Sequence, residues 1–160
     1  SKPESVRIDM TVVSLGGGGS SDRIEYVDNS GQATDNGGGN KDESVEFILR
    51  NTGPAEVSVT DISVDSTSEG SAQRVEGSPG NPSVSTNRTG EVTTDIVIGS
   101  SSEQFSSEAT LPSGRDAEFV IGRFKSGGGG GSDREMSGDD ITITLTFGDG
   151  TTQEYTITAT

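Results

Sequence analysis

Apolar residues recur at every second position in several short stretches of this 160-residue chain. Such spacing predicts β-strands with one buried face, because successive side chains of a strand point to opposite sides of the sheet. The first stretch covers residues 6–15, and its alternating apolar positions are Val6, Ile8, Met10 and Val12. Other stretches lie at 24–27, 45–50, 57–64, 94–98, 117–121, 141–147 and 155–159, with a weaker one at 73–76.

The stretch at 57–64 contains a change of parity. Val57 and Val59 occupy one set of alternating positions, whereas Ile62 and Val64 occupy the other set. A strand with a two-residue period changes parity only when one residue is inserted. We therefore predict a β-bulge near Thr60-Asp61.

The turn residues complete an all-β interpretation. The last two stretches flank Gly148-Asp149-Gly150, which predicts a β-hairpin. Runs of Gly at 16–19 and 127–131 follow alternating stretches and predict loops. No segment has a helical period. Residues 105–111 are predicted to connect strands. About eight or nine short strands with frequent turns predict one antiparallel β-sandwich domain over residues 1–160, with long Gly-rich loops.

Acidic residues dominate the charge of the chain. The 26 Asp and Glu outnumber the 11 Lys and Arg, which gives a net charge of −15. They are spread from Glu4 to Glu154, so they describe a whole surface rather than a tail. Repulsion across such a surface is screened in molar salt, where the Debye length is about 3 Å. The composition is typical of proteins from extreme halophiles, and an ordinary acidic extracellular protein is the alternative.

The composition also bears on catalysis and on nucleic-acid binding. The chain has no His and no Cys, the residues that most often carry acid–base, thiol and transition-metal chemistry. The carboxylate pairs Asp42-Glu43 and Asp139-Asp140 lie near glycine, and nothing predicts the burial that raises a carboxyl pKa. We therefore expect no catalytic residue and no enzymatic activity. Nucleic acid is not an expected partner, because phosphate binding requires a basic surface.

One loop contains oxygen ligands of the kind that a hard cation prefers. Asp28, Asp35 and Asp42 lie in a stretch rich in Gly and Asn, and Ca²⁺ binds such oxygen ligands. Their spacing does not follow the Asp-x-Asp-x-Asp-Gly pattern of a calcium-binding loop. We therefore favour a solvated loop, keep calcium as a weak candidate and predict no other cofactor. Neither glycine run precedes a Gly-Lys-Ser/Thr motif, so neither predicts a phosphate-binding loop.

Further features favour a location outside the cell. No apolar run approaches the roughly 18 residues of a membrane span. The chain starts at Ser1 without an initiator Met, so we expect a processed end from which a signal or anchor was removed. Asn87-Arg88-Thr89 is a sequon, which makes Asn87 the predicted attachment point of an N-glycan. The expected location is extracellular or at the cell surface.

Residues 45–64 resemble a known family of domains. The strand at 45–49 closes in Arg50-Asn51-Thr52-Gly53, and the strand at 57–64 follows. This pattern is similar to the immunoglobulin-like sandwiches of haloarchaeal cell-surface proteins, including pilin-like and archaellum-associated proteins. The resemblance implies an immunoglobulin-like (Greek-key) topology and a secreted or surface-anchored structural module. Pilins of that type begin with a long apolar assembly helix, whereas this sequence begins with an alternating segment.

Two functions remain open at this stage. The first is a structural subunit of a cell surface or a pilus-like filament, which associates with itself or with other surface proteins. Its basis is the segment 1–15, whose alternating residues either begin the sandwich of their own molecule or pair with a neighbouring subunit. The second is an adhesion module that binds a glycan or a protein through its loops. Only two Tyr and five Phe are present, which weakens the case for a glycan site.

Overall fold

The computed structural model describes residues 19–37, 39–128 and 130–160, and this part of the chain is all-β with antiparallel sheets. The predicted strand at 6–15, with Val6, Ile8, Met10 and Val12, lies outside the described residues. A 3₁₀ turn, Ser20–Arg23, leads into the strands. They are β1 (Ile24–Tyr26), β2 (Gln32–Thr34), β3 (Ser44–Asn51), β4 (Val57–Thr67), β5 (Arg74–Val75), β6 (Val84–Thr86), β7 (Glu91–Val92), β8 (Ile96–Val97), β9 (Glu103–Leu111), β10 (Asp116–Gly122), β11 (Phe124–Lys125), β12 (Asp140–Phe147) and β13 (Thr152–Thr158).

Two larger sheets contain most of these strands. In the first sheet the order is β1-β3-β10-β6-β7, and β2 pairs with β3 beside β1. In the second sheet the order is β13-β12-β4-β9, and a small third sheet has the order β11-β5-β8. The buried faces of the two larger sheets contribute to the same hydrophobic cluster, an arrangement consistent with a β-sandwich.

The alternation seen in the sequence builds the core. Phe47 of β3 and Phe119 of β10 lie opposite each other in register, and their rings stack with centroids 5.5 Å apart. In the second sheet, β12 buries one residue in two along its whole length. The central strands of both sheets thus bury these side chains completely: Val45, Phe47, Leu49, Ala117, Phe119, Ile121, Ile141, Ile143 and Leu145.

Two buried hydrogen bonds join the larger sheets. The hydroxyl of Tyr155 on β13 donates to the carbonyl of Ile24 on β1 at 2.8 Å. Burial raises the pKa of the Tyr155 phenol, so the group stays protonated and remains a donor. On the other side of the core, Nδ2 of Asn51 on β3 donates to the carbonyl of Leu111 on β9 at 2.8 Å. Each bond satisfies a polar group that burial would otherwise leave without a partner.

Both local features predicted from the sequence are confirmed. The hairpin joins β12 to β13, with Ile143 opposite Tyr155. The bulge in β4 lies at Thr60. The consecutive β12 residues Thr146 and Phe147 pair with Asp61 and Val59, so the pairing skips Thr60. The side chains of Val59 and Ile62 consequently both reach the core, although their positions differ in parity.

The structure contains more strands than the sequence predicts. Residues 105–111, expected to connect strands, belong to the nine-residue strand β9 (Glu103–Leu111) at the edge of the second sheet. Phe105, Ala109 and Leu111 are buried on one face of the strand, but Ser107, which lies between the first two at the same parity, is exposed. This spacing hides the two-residue period of a strand. Within the predicted loop at 28–42, Gln32–Thr34 pairs with β3, although its residues are polar or small.

Candidate functional site

The β12–β13 turn binds the segment that precedes β1 through two backbone N–H groups. Oδ2 of Asp149 accepts the backbone N–H of Ser20 at 2.7 Å, and the Thr151 hydroxyl accepts the N–H of Ser21 at 3.1 Å. Gly19 packs so closely against the Thr151 side chain that a Cβ at this position would clash with it. Gly19 therefore lies next to the start of β13.

Asp149 is suited to this role because it accepts several hydrogen bonds. The Thr151 hydroxyl donates to it, as do the backbone N–H groups of Ser20 and Thr151. These donors lower the pKa of the Asp149 carboxyl, with the Thr151 hydroxyl as the largest cause. A lowered pKa means that the contribution of Asp149 is present above the usual carboxyl pKa and is lost as the pH falls below it. The anchor is therefore stable at neutral pH.

One side of β13 carries no partner strand among the described residues. The backbone N–H and C=O groups of the odd-numbered β13 residues point towards β12. The Phe147 N–H donates to the Thr151 carbonyl, and the Ala159 N–H donates to the Asp139 carbonyl. The N–H and C=O groups of Thr152, Glu154 and Thr156 therefore point away from β12. The side chains of these three residues are exposed. We call residues 152–156 the open edge.

The far end of β13 is covered. The Thr160 N–H donates to the Gly31 carbonyl at 3.3 Å, and the Ala33 N–H donates to the Thr160 carbonyl at 3.0 Å. Gly31 lies so close to the Thr158 carbonyl that any side chain there would clash. A cleft of about 430 Å³ lies at this end of β13, and it is lined by Tyr26, Asp28, Asn29, Thr158 and Thr160. The open edge thus runs from the chain anchor to this cleft.

The opposite border of the second sheet is closed. Strand β9 lies against β7 of the first sheet, where the Thr110 N–H donates to the Arg88 carbonyl and the Ser106 hydroxyl donates to the Glu91 carbonyl. Gly90 approaches the backbone of Ala109 so closely that a Cβ would clash with it. Edge strands of native proteins are commonly protected in this way. Within the part of the chain that the structure describes, no strand covers the open edge of β13, and residues 152–156 include neither Lys nor Pro.

A second, polar cleft of about 270 Å³ lies between the β5–β6 connection and the end of β10. The Nε of Arg123, whose side chain is 34% exposed, donates to the Asn36 carbonyl at 3.3 Å and lies 3.8 Å from Oε1 of the buried Glu43. The same Oε1 accepts the Asn36 N–H at 3.1 Å. This cleft offers hydrogen-bonding groups to a polar ligand. Its lining is Asn36, Glu76, Ser78, Gly80, Asn81, Pro82, Ser85, Val120, Gly122 and Arg123.

The weak calcium candidates are not brought into one metal site. Asp28 is exposed in the turn after β1, and Oδ1 of Asp35 accepts the N–H of Gly37 at 2.8 Å. The backbone N–H of Asp42 donates to a carboxylate oxygen of Glu135 at 3.2 Å. Across residues 19–37, 39–128 and 130–160, no group of three or more Asp or Glu side chains is placed to hold a metal ion.

The predicted glycosylation residue is accessible. Asn87 is exposed in the turn between β6 and β7, and its Oδ1 accepts the N–H of Glu118 at 2.9 Å. Thr89, the hydroxyl residue of the sequon, has a positive φ of 51° in the same turn. An N-glycan at Asn87 stays a prediction.

The motif that carried the family resemblance has a structural role. In Arg50-Asn51-Thr52-Gly53, the buried Asn51 donates to the Ala55 and Leu111 carbonyls, each at 2.8 Å, and its Oδ1 accepts the Gly53 N–H at 2.9 Å. One side chain therefore shapes the turn after β3 and joins the two sheets. The neighbouring Arg50 forms a two-point ion pair with Asp116 at 2.6 and 3.0 Å, which lowers the pKa of that carboxyl.

The remaining surface keeps the acidic character of the sequence. Lys125 is shared between Asp133 at 2.6 Å and Glu76 at 3.1 Å, and hydrogen bonding to Asp133 raises the pKa of the lysine. Many carboxylates instead face the solvent, including Glu56, Glu91 and Glu108. Their mutual repulsion acts across the surface and depends on the salt concentration.

Sequence reasoning missed both clefts and the role of the turn as an anchor. Asp149 and Thr151 carry the local signal of a turn in which an Asp side chain accepts a nearby N–H. Their partner Ser20, however, lies 129 positions from Asp149, so no local pattern links them. Arg123 and Glu43 are likewise distant in sequence and meet only through the pairing of β10 with β3.

Comparisons with known proteins do not assign the chain to a family: no family model matches it, and no curated protein is significantly similar. Among the described residues, no helix is long and apolar enough to cross a membrane.

Proposed function

We propose that this protein is a non-catalytic, extracellular structural protein of a halophile, acting as a subunit of a cell surface or a pilus-like filament. The observation that carries the proposal is the edge of β13 at residues 152–156, beside which no strand is paired among residues 19–37, 39–128 and 130–160. An unpaired edge presents a row of backbone donors and acceptors to which another strand can add. The sequence supplies an alternating segment of suitable length just before the anchor.

The strand order supports an immunoglobulin-like (Greek-key) topology as part of this proposal. The order β1-β3-β10-β6 resembles the A-B-E-D sheet of immunoglobulin constant domains, and β13-β12-β4 resembles their G-F-C sheet. Strand β9 extends the second sheet beyond β4. Within the proposal, this order agrees with the resemblance to haloarchaeal surface domains carried by residues 45–64.

The acidic surface supports the halophilic part of the proposal. The net charge of −15 lies on a domain whose exposed carboxylates are spread over both sheets and their loops. High salt screens the repulsion between these groups, so such a surface stays compatible with close packing of subunits in brine. A glycan at Asn87 would lie at the β6–β7 turn of the first sheet, whereas β13 belongs to the second sheet.

Electron microscopy of the full chain in molar NaCl at rising protein concentration tests assembly. We expect filaments or ordered arrays, and we expect the Ile8→Ser, Met10→Ser double variant to stay dispersed because the alternating segment loses its apolar face. A Thr52→Ala variant, altered at an exposed turn residue, serves as the control and should assemble normally. Dispersed monomers of the unaltered protein at every concentration would refute the structural role.

The polar cleft favours a second candidate, a surface adhesion module that binds a glycan or a protein partner through its loops. Its hydrogen-bonding groups suit a polar ligand, whereas its described lining contains no aromatic residue of the kind that stacks on sugars. A glycan and pull-down screen in molar salt discriminates between the two functions. A partner that is bound by the unaltered protein and not by the Arg123→Ala variant would favour adhesion. A screen in which no partner binds would exclude the adhesion function.

A further inference from the structure

We propose that the cleft beside Tyr26 binds a saccharide, with the face of one sugar ring against the tyrosine and its hydroxyl groups on Asp28 and Asn29. The inference goes beyond the structural role proposed above, because no step of it depends on assembly. It also differs from the adhesion alternative, which rests on the polar cleft beside Arg123. The juxtaposition that carries it is a partly exposed aromatic ring, a well-held polar turn and a row of hydroxyl acceptors in one cleft.

Tyr26 differs from the other aromatic residues of the chain. All seven aromatic residues lie within the described part, and the five Phe and Tyr155 are each at most 7% exposed. Tyr26 is only partly buried, since its ring packs against the core and also borders the cleft. Its hydroxyl accepts the N–H of Gly31 at 3.1 Å, which holds the ring in one orientation. The protein therefore presents one aromatic surface at a defined place.

The cleft lies where the end of β1 in the first sheet meets the end of β13 in the second sheet. Its volume of about 430 Å³ falls within the range of roughly 300–1,000 Å³ that is usual for small-molecule sites. Such sites combine an apolar or aromatic surface with a few polar groups that fix the orientation of the ligand. This cleft has both.

The turn after β1 fixes the polar side chains on one side of the cleft. The Val27 N–H donates to the carbonyl of Ile48 on β3 at 3.0 Å, and the Ser30 hydroxyl accepts the Ile48 N–H at 3.0 Å. Asn29 has a positive φ of 60°, a conformation that Asn adopts more readily than most residues. Asp28 and Asn29 are exposed at the centre of this turn. Their backbone is thus positioned before a ligand arrives, which lowers the cost of binding.

The opposite side of the cleft supplies hydrogen-bond acceptors. The Thr158 hydroxyl donates to Oδ1 of Asp140 at 2.6 Å, and the Thr160 hydroxyl donates to the Gly31 carbonyl at 2.9 Å. A hydroxyl has one hydrogen to donate, so both threonine oxygens can only accept further bonds. The Asp28 carboxylate adds two more acceptors. The cleft therefore suits a ligand that carries several donors together with an apolar face.

A sugar ring has this combination. Its hydroxyls surround the ring and donate in several directions, while the weakly positive C–H groups of one face pack against the electron-rich face of an aromatic ring. An organic ammonium ion is also attracted to such a ring. A primary ammonium, however, carries all its donors on one atom, and a quaternary ammonium has none. Because the acceptors line two sides of the cleft, a saccharide uses them better.

NMR titration of the full chain in molar NaCl tests the site, followed by ¹H–¹⁵N spectra and by saturation transfer to the ligand. The probes are the methyl glycosides of glucose, galactose and mannose, with tetramethylammonium chloride as the cationic alternative. Tyr26→Leu removes the aromatic ring, Tyr26→Phe keeps it, and Asp28→Asn removes the carboxylate. The matched control is Glu56→Gln, which removes an exposed carboxylate in the connection between β3 and β4. Circular dichroism checks that each variant keeps the β fold.

We expect at least one glycoside to bind with a Kd on the order of 1 mM and to shift the resonances of Tyr26, Asp28 and Asn29. The affinity should fall about tenfold for Tyr26→Leu and about fivefold for Asp28→Asn, and change by less than about twofold for Tyr26→Phe and Glu56→Gln. Equal affinities for Tyr26→Leu and the unaltered protein would overturn the inference.

Three further results would also overturn it. The first is the absence of saturable binding for all three glycosides up to about 100 mM. The second is a set of shifts confined to the polar cleft around Arg123, which would favour the adhesion alternative. The third is binding of tetramethylammonium beside Tyr26 without binding of any glycoside. None of these results affects the test of filament formation, so the two proposals fail separately.

Discussion

Replacing Phe119 by alanine is expected to lower the free energy of unfolding by about 3–5 kcal/mol, the usual range for removing a buried phenyl ring. Phe119 has no exposed surface and stacks on Phe47 at the centre of the first sheet. The neighbouring strands β3 and β6 both pair with β10, so the backbone around the resulting cavity is held in place and relaxes little.

Urea unfolding in molar NaCl measures this loss, with Val97→Ala as the control. Val97 is 54% exposed, and we expect its truncation to change the free energy of unfolding by no more than about 0.5 kcal/mol. Phe119 is among the largest fully buried side chains of the described part, so its truncation removes much buried apolar surface. A loss below about 1 kcal/mol for Phe119→Ala would show that the two sheets do not pack over this ring.

Replacing Asn51 by alanine is expected to lower the free energy of unfolding by about 2–4 kcal/mol, since each buried polar group left without a partner costs about 1–3 kcal/mol. The Asn51 side chain is completely buried and makes three hydrogen bonds, to Ala55, Leu111 and Gly53. Truncation leaves the Leu111 carbonyl in the core without its donor. It also removes the bond that holds the turn after β3.

Thermal unfolding of Asn51→Ala and of the adjacent Thr52→Ala variant separates this effect from a general sensitivity of the turn. Thr52 is exposed, and its hydroxyl donates to the Arg23 carbonyl at 3.1 Å. We expect Thr52→Ala to cost about 0.5–1 kcal/mol, as for a typical exposed hydrogen bond. Equal losses for the two variants would contradict the role of Asn51 as the bridge between the sheets.

The sequence predicts those parts of the fold in which burial follows the period of a strand. The stretch 141–147 buries every second residue and pairs with its neighbour through a short turn, so both the strands and the hairpin follow from local pattern. The bulge at Thr60 also has a local signal, because the inserted residue displaces all later apolar positions by one. In these elements the local preference and the tertiary structure agree.

Other elements depend on contacts that local pattern does not contain. Strands β6 and β7 are short and contain polar residues. Strand β6 forms because β10 provides an edge with which it pairs, and β7 pairs in turn with β6. In β9 the two-residue period of burial is interrupted at the exposed Ser107, in the part of the strand where the pairing with β4 shifts. The open edge could not be located from sequence for the same reason, since it depends on which strand ends the second sheet.

The proposed surface role rests on one premise, that the acidic surface is an adaptation to brine. Two charges about 10 Å apart repel by roughly 0.15 kcal/mol at 0.1 M salt, and by almost nothing at molar salt. With 15 excess negative charges, the sum over neighbouring pairs reaches about 2 kcal/mol. This loss of stability corresponds to a fall in Tm of about 4–8 °C for a domain of this size.

Thermal unfolding of the full chain as a function of NaCl concentration, followed by circular dichroism, tests this premise most directly. We expect a β-rich spectrum in molar NaCl and a Tm that falls by about 4–8 °C as the salt is reduced to about 0.1 M. A mainly helical or unfolded spectrum in brine, or a Tm that is unchanged or higher at low salt, would contradict the proposal of a brine-adapted surface protein.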